Sequence, residues 1–232
     1  MTALQIIQAV SSRMGLASPT VVFSSTDAQV IQMRHLLNQE GKELGKRHPW
    51  TKLVTEKTFT TVAAAIQTSA VPSDFGWYLN GTMWNRTTDR QIFGPMSAAD
   101  WQRQQAIAAT STIHTGFRFR GGELLWYPSP TASQTAAYEY VSKNWGETSG
   151  GTDLSTMTAD TDVGLLDEDL ITLGVIWRFR KAKGLDYAEE FRTYQMEVGK
   201  AIARDGGRAD YSLHGHAAPP YNANIDEGSW PL

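Results

Sequence analysis

The chain has 232 residues, of which 41% are hydrophobic and 19% charged, so its composition excludes a disordered protein and allows a substantial core. Its formal net charge of −3 disfavours tight binding to nucleic-acid phosphates, which requires a basic surface. The absence of cysteine excludes disulfides, thiolate metal ligands and cysteine nucleophiles.

The N-terminal residues carry neither the basic nor the apolar segment of a secretory signal. No apolar run approaches the roughly 20 residues needed to span a bilayer. We therefore expect a protein that does not associate with membranes.

The first part of the chain has the periodicity of two helices. The first is predicted over residues 2–14, before Gly15 at the position of a C-cap. Its apolar face consists of Leu4, Ile7, Val10 and Met14. The second is predicted to begin at Thr26, whose spacing from Gln29 fits a capping box, and to end near Gly45.

The middle of the chain has the alternation of strands. Two short strands are predicted within residues 51–68, and Asn80-Gly81 has the composition of a hairpin turn. A short helix is predicted from Ser97 to about residue 109. The clearest hairpin spans residues 117–127, where two phenylalanines alternate with two arginines before a Gly-Gly turn. A further strand is predicted over residues 137–142.

The last third returns to helices after a predicted loop at residues 143–162. Acidic residues that suit a helix start cluster at Asp160, Asp162, Asp167, Glu168 and Asp169. The helix that follows is predicted to begin near Leu165 and to end before Gly184. A second helix is predicted to have Asp186 as its N-cap. From both helices we expect the structural core to contain Leu170, Leu173, Trp177, Tyr187 and Phe191.

Residues 206–232 lack a helical pattern and combine glycines, two adjacent prolines and large aromatic residues. A long arm with aromatic anchors is typical of a segment that docks on a partner. We expect this arm to bind a partner or a neighbouring subunit through Tyr211, His214, Tyr221 and Trp230.

The order of these elements predicts an α+β fold. Residues 1–49 and 163–205 are expected to form one helical domain, a bundle built from both ends of the chain. Residues 50–162 are expected to form an inserted antiparallel β-rich domain, and residues 206–232 an extended C-terminal arm.

Motifs of catalysis and metal binding are weak throughout the chain. His214 and His216 could share a metal ion, but no carboxylate lies close by in sequence to complete the site. The acidic cluster at residues 160–169 departs from the spacing of a calcium loop and is better explained as a helix start. Arg118 and Arg120 alternate with phenylalanines as in a nucleic-acid platform, although a strand with one buried face explains them better. We expect no catalytic residue, no metal and no cofactor.

Three features resemble the head–tail adaptor proteins of short-tailed bacteriophages and their relatives. Residues 166–191 have an acidic start, an apolar middle with Trp177, a basic end, Gly184 and then Asp-Tyr-Ala. Residues 71–75, Val-Pro-Ser-Asp-Phe, resemble the Leu-Pro-x-Asp-Phe turn of such proteins, with valine in place of leucine. The opening helix, followed by a long helix that ends shortly before Trp50, is the third feature.

The resemblance implies a structural virion protein of the head–tail interface, assembled in the host cytoplasm. It would form a ring of 12 identical subunits that docks on the portal protein and joins it to a tail or nozzle protein. DNA would pass through the lumen without specific binding, which agrees with the mildly acidic net charge.

Two other classes of function stay open at this stage. A carbohydrate-binding β module on a helical stalk could stack sugars on Trp77, Trp84, Trp126 and Tyr127. A hydrolase could pair His114 with a carboxylate.

Overall fold

The computed structural model describes residues 1–106 and 115–206, and this part of the chain combines helices with antiparallel sheets. The helices are α1 (Ala3–Arg13), α2 (Ala28–Arg47), α3 (Ala98–Ala106), α4 (Glu168–Ala182) and α5 (Ala188–Arg204), with a 3₁₀ turn at Thr51–Leu53. The strands are β1 (Val54–Thr60), β2 (Ile66–Gln67), β3 (Phe75–Tyr78), β4 (Trp84–Asn85), β5 (Arg90–Gln91), β6 (Gly116–Arg120), β7 (Glu123–Tyr127), β8 (Thr135–Ser142), β9 (Gly146–Glu147), β10 (Asp153–Leu154) and β11 (Val163–Gly164). The predicted α+β class is confirmed.

Helices α1, α2, α4 and α5 pack around one apolar centre, which we call the helical core. Helix α4 lies at its middle, because it contacts each of the other three helices and is buried on most of its faces. This burial explains why its sequence is apolar nearly all round. Four residues from the stretch expected to form the inserted β domain also pack in the helical core: Trp50, Val141, Trp145 and Met157.

The predicted ends of the helices are mostly close. Helix α4 begins at Glu168 rather than near Leu165, and two predicted N-caps also differ from the structure. Thr2 caps α1 in a capping box with Gln5, and Gly15 follows with φ of 67°. The N-cap of α2 is Asp27, whose carboxylate accepts from the amides of Gln29 and Val30. The predicted N-cap at Thr26 is therefore wrong by one residue, because the Asp27 carboxylate pairs with these two amides at the start of the helix.

The second difference concerns the start of α5. Tyr187 occupies the N-cap, without a side-chain hydrogen bond of its own. The carboxylate of Asp186 accepts from the amide of Ala188 from one position earlier. The predicted N-cap at Asp186 is therefore displaced by one residue.

Strand β8 is the centre of the largest sheet. It pairs with β1 along one edge, and with both β3 and β4 along the other. The turn at Asn80-Gly81 therefore does not close the predicted hairpin, because β3 and β4 lie one after the other on the same edge of β8. The hairpin nearby joins β4 to β5 instead.

The hairpin of β6 and β7 is confirmed. Arg120 lies opposite Glu123, and the two glycines between them have φ of 61° and 80°. Such positive φ values at both central positions define the tight turn that matches strand twist. Phe117 is fully buried, whereas Arg120 is exposed, as expected for a strand with one buried face.

The predicted loop at residues 143–162 contains β9 and β10, and β9 pairs with both β10 and β11. Asp160 and Asp162 do not start α4, which begins after the N-cap Asp167. The Asp160 carboxylate accepts from the amides of Val22 and Phe23, and Asp162 accepts from two amides of its own loop. Hydrogen bonds from backbone amides, rather than the helix dipole, explain why acidic residues occupy these two positions.

A second apolar centre fills the β region, and we call it the aromatic core. Its rings come from strands of the five-stranded sheet and of the sheet formed by β2, β7 and β6, and they meet mostly edge to face: Phe59, Phe75, Tyr78, Phe117, Phe119, Trp126, Tyr138 and Tyr140. None of the described helices is long and apolar enough to cross a membrane.

Candidate functional site

The four residues predicted to bind a partner, Tyr211, His214, Tyr221 and Trp230, lie outside the described residues. The same holds for His216 of the weak metal motif and for His114 of the hydrolase hypothesis. The described residues show instead how the part of the chain before residue 207 is built.

The five predicted core residues lie on the α4–α5 pair but differ in burial. Leu170 and Trp177 are buried, whereas Leu173 and Tyr187 are partly buried against the helical core. Phe191 is 36% exposed, and its ring lies edge-on against Trp177 with the centroids 5.0 Å apart. The two helices thus meet through Trp177, with Phe191 at the outer rim of the contact.

A buried charged cluster ties three helices together at the centre of the helical core. The Glu40 carboxylate on α2 is fully buried and accepts from Nε of Arg178 on α4 at 2.6 Å. It also accepts from the Tyr194 hydroxyl on α5. The Arg178 guanidinium donates in addition to Glu43 at 2.7 Å, at the edge of the core. Each buried polar group in this cluster therefore has a partner, as burial of charge requires.

The pKa shifts within this cluster follow from burial and pairing. Burial is the largest cause that raises the pKa of Tyr194, and the negative charge of Glu40 adds to it. Burial is the largest single influence on the pKa of Arg178 and would lower it, but the hydrogen bonds and negative charges of Glu40 and Glu43 together raise the pKa above its usual value. Tyr194 and Arg178 therefore keep their protons at neutral pH and remain hydrogen-bond donors in the cluster.

Gly174 makes room for this cluster on the face of α4. A Cβ atom there would lie 2.1 Å from Cδ of Glu40 and 2.4 Å from one of its carboxylate oxygens. Any larger residue would displace the carboxylate from Arg178 and Tyr194. The glycine within an otherwise apolar helix is thus explained by close approach to a buried charge.

The Val-Pro-Ser-Asp-Phe turn is fixed to the end of β8 by its aspartate. The Asp74 carboxylate accepts from the Tyr140 hydroxyl at 2.9 Å and from the Ser142 hydroxyl at 2.7 Å. Burial and then the hydrogen bond to Asp74 raise the pKa of Tyr140. Phe75 stacks on Tyr140 with the ring centroids 5.7 Å apart. The motif therefore joins the turn before β3 to the aromatic core.

The C-terminal end of α5 is fixed by its C-cap residue, Asp205. Its carboxylate accepts from the amide and the hydroxyl of Thr51 at 2.9 and 2.6 Å, and His48 Nε2 lies 3.2 Å away. Burial is the largest single influence on the pKa of Asp205 and would raise it, but the hydrogen bonds from Thr51 together with His48 hold the pKa below its usual range. A cleft of about 470 Å³ lies beside this clamp, between Trp50, Leu166 and Arg204.

The residues proposed for sugar stacking do not share one exposed surface. Trp126 is 1% exposed inside the aromatic core, whereas Trp84 is 39% exposed on β4. Within residues 1–106 and 115–206, no group of three or more His, Asp or Glu side chains could hold a metal ion.

Sequence reasoning did not identify Glu40, Asp74 and Asp205 as the polar groups that fix the body. Glu40 carried a signal, because it falls on the same helical face as Met33, Leu37 and Leu44, where a carboxylate requires a partner. Its partner on α4 is distant in sequence, so the pair could not be recognised from spacing alone.

Comparison with known families gives one match: the family described as SU10 adaptor protein matches residues 1–219. A comparison with curated proteins gives no match. The family match covers nearly the whole chain, including the four buried or partly buried helices, the Val-Pro-Ser-Asp-Phe turn and the first part of the arm.

Proposed function

Because the chain belongs to the SU10 adaptor protein family of phage head–tail adaptors, we propose that it forms a ring between the portal and the tail of a short-tailed phage. One face of the ring docks on the portal protein and the other receives a tail or nozzle protein. DNA passes through the lumen without specific binding. The protein is a component of the virion, assembled in the host cytoplasm, and acts without catalysis or a cofactor.

The family match over residues 1–219 is the observation that carries this proposal. The structure adds physical support, because an adaptor must keep its shape while it holds two larger assemblies together. The Glu40–Arg178–Tyr194 cluster links three helices, and Asp74 fixes the entry to β3. Such satisfied polar links restrict the body to one arrangement of its elements.

We propose a division of labour along the chain. The helical domain of residues 1–49 and 163–205 provides the frame, and the inserted β-rich domain of residues 50–162 provides a second surface. The arm of residues 206–232 makes the contacts with a partner. Support for the frame comes from the contacts of α4 with α1, α2 and α5.

Twelve copies would close the ring through heterologous contacts, in which one surface of a subunit meets a different surface of the next. The mass of the assembled protein tests this number, because each copy contributes 25.7 kDa. A closed ring of 12 gives one sharp species, and a broad series of masses contradicts it.

The arm is proposed to bind through Tyr211, His214, Tyr221 and Trp230, because large aromatic side chains dominate the energy of protein interfaces. The test is the affinity of the full chain for the portal protein after Tyr211, Tyr221 and Trp230 are replaced by alanine. Loss of one such anchor typically costs at least about 2 kcal/mol, or roughly 30-fold in affinity. We expect at least that loss for the triple variant.

A matched control is Trp84→Ala, which removes an exposed tryptophan from the β region without touching the arm. We expect the control to bind the portal like the unaltered chain. If the triple variant also binds and assembles like the unaltered chain, the arm is not the contact.

A further inference from the structure

A cleft between α2 and the end of β8 has the chemistry of a peptide-binding site. It has a volume of about 420 Å³, within the range of roughly 300–1,000 Å³ of ligand sites. Its lining consists of two tryptophans, five glycine or serine residues and three lysines. The residues that matter to the argument are Trp77, Trp145, Lys42, Lys46 and Lys143.

The floor of the cleft is rigid. The ring of Trp145 lies so close to Gly41 that a Cβ atom there would be 2.3 Å from three of its ring carbons. Its Nε1 donates to the carbonyl of Ser155 at 3.0 Å, which fixes the orientation of the indole. Trp145 is 1% exposed, so the cleft is preformed by packing rather than opened by a rearrangement.

The rim of the cleft is positive. Lys42 and Lys46 are one turn apart on the exposed face of α2, and Lys143 follows β8 on the opposite side. Among the residues that the structure describes, none of the three ammonium groups forms an ion pair. The nearest acid on α2, Glu43, is paired with Arg178 away from the cleft. An occupant with negative charge beside an apolar side chain would match this surface.

The chain itself contains a segment with this chemistry, outside the described residues. Residues 224–232 read Asn-Ile-Asp-Glu-Gly-Ser-Trp-Pro-Leu and place Asp226 and Glu227 shortly before Trp230. We propose that this segment of one copy binds the lysine-rimmed cleft of a neighbouring copy. Asp226 and Glu227 lie at the lysines, and Trp230 covers the apolar floor. This inference rests on the proposed function and refines it: Trp230 contacts the neighbouring copy, and the contact with the portal is left to Tyr211, His214 and Tyr221.

The length of the arm allows this contact. The root of the arm at Asp205 is clamped to Thr51, and about 20 residues separate it from Asp226. Fully extended, these residues span up to ~70 Å. A folded body of this size has a diameter of ~40 Å, so the arm can cross to an adjacent copy. An arm that binds a different surface on the next copy is a heterologous contact, the type that closes rings.

Cysteine crosslinking of the full chain tests the proposal directly, because the chain has no cysteine of its own. Ser155→Cys places a thiol at the cleft, and Ser229→Cys places one beside Trp230. Under mild oxidation the double variant is expected to give a ladder of disulfide-linked multimers on a non-reducing gel. The matched control combines Ser229→Cys with Ser129→Cys, which lies in a different cleft of the β region, and should give no ladder.

Charge reversal provides the second part of the test. Asp226→Lys with Glu227→Lys should lower the crosslinked fraction by at least about tenfold, because like charges then face each other. Lys42→Glu, Lys46→Glu and Lys143→Glu should lower it to a similar extent. When these two charge-reversed chains, each with both cysteines, are mixed, each cleft finds an arm of opposite charge. The ladder should then return, which a purely structural defect of either variant would not permit.

The outcomes separate this inference from the proposed function. A monomer band of altered mobility without a ladder means that the arm binds its own cleft, and overturns the proposal. Absence of any crosslink in a chain that still assembles on the portal also overturns it, while the adaptor function stands. If the unaltered chain neither self-associates nor binds the portal, the proposed function itself fails.

Discussion

The helical core and the aromatic core are built on different physical principles. The helical core surrounds a buried ion pair, Glu40 with Arg178, to which Tyr194 adds a hydroxyl. The aromatic core contains neutral rings. The Asp74 carboxylate lies at the edge of this core, where it accepts hydrogen bonds from Tyr140 and Ser142 near the end of β8. The first core adds a few directional contacts to its apolar packing, whereas the second contains many weak ring contacts.

The difference predicts how each region responds to change. Removing one member of a buried ion pair leaves an uncompensated charge, so damage to the helical core should be large and concentrated in few residues. Edge-to-face ring pairs contribute about 0.5–1.5 kcal/mol each beyond burial, so damage to the aromatic core should be spread over many positions.

Arg178→Met should have the largest effect. It keeps much of the side-chain volume but leaves the buried Glu40 carboxylate without its cation, which typically costs about 3–5 kcal/mol. Urea denaturation measures the free energy of unfolding. Arg86→Met, which breaks an exposed pair with Glu56, is the control and should cost at most about 1 kcal/mol. Equal losses in the two variants would contradict the role of the buried pair.

Gly174→Ala should have the second-largest effect on stability. The new methyl group would collide with the Glu40 carboxylate, and overpacking of this kind costs about 1–3 kcal/mol. Gly199→Ala on α5 meets no atom within 4 Å and should stabilise the protein by about 0.5–1 kcal/mol. Thermal unfolding of the two variants should therefore show shifts of opposite sign. A higher midpoint for Gly174→Ala would remove the explanation given for this glycine.

Asp74→Asn should have a smaller effect, in the β region. The amide keeps the shape of the side chain but loses the charge-assisted hydrogen bonds from Tyr140 and Ser142, at about 1–2 kcal/mol. Asp89→Asn, at an exposed turn, is the control and should be neutral. Near-ultraviolet circular dichroism should show the change in the aromatic core. An unchanged aromatic spectrum together with unchanged stability would show that the turn is fixed by other contacts.

The smallest effect is expected at the root of the arm. Asp205→Asn should cost about 0.5–1.5 kcal/mol, because the Thr51 hydrogen bonds lose their charged acceptor. The folded-state pKa of Asp205 is lowered, so its contribution is present above the unfolded pKa of about 3.9 and is lost as the pH falls through the folded value. The unfolding free energies of the variant and the unaltered chain should therefore converge once the pH has fallen below the folded-state pKa of Asp205. A difference that persists there would exclude the carboxylate as its source.

The helices were more predictable than the sheet, for a physical reason. A helix is encoded by neighbours three and four residues apart, and its capping residues are local, so α1 was predicted nearly to the residue. The arrangement of β3 and β4 on one edge of β8 depends on pairing across about 50 residues. The Asn80-Gly81 pattern indicates a turn correctly, but it contains no information on which strand the chain meets next.

The polar contacts within the body were the least predictable part. Asp160 and Asp162 belong to an acidic cluster that is typical of a helix start. Only the fold shows that their partners are loop amides. Glu40 and Arg178 are likewise brought together by the packing of α2 on α4. The adaptor resemblance, in contrast, was visible in residues 166–191, because the acidic, apolar and basic parts of α4 follow one another along the chain.

The central claim is that this protein works by assembling with copies of itself and with a portal. The most direct measurement is the mass in solution of the purified full chain, alone and mixed with its portal protein. The account predicts that the portal mixture contains a single complex whose added mass is a fixed multiple of 25.7 kDa. A chain that keeps the mass of one copy under both conditions would contradict it.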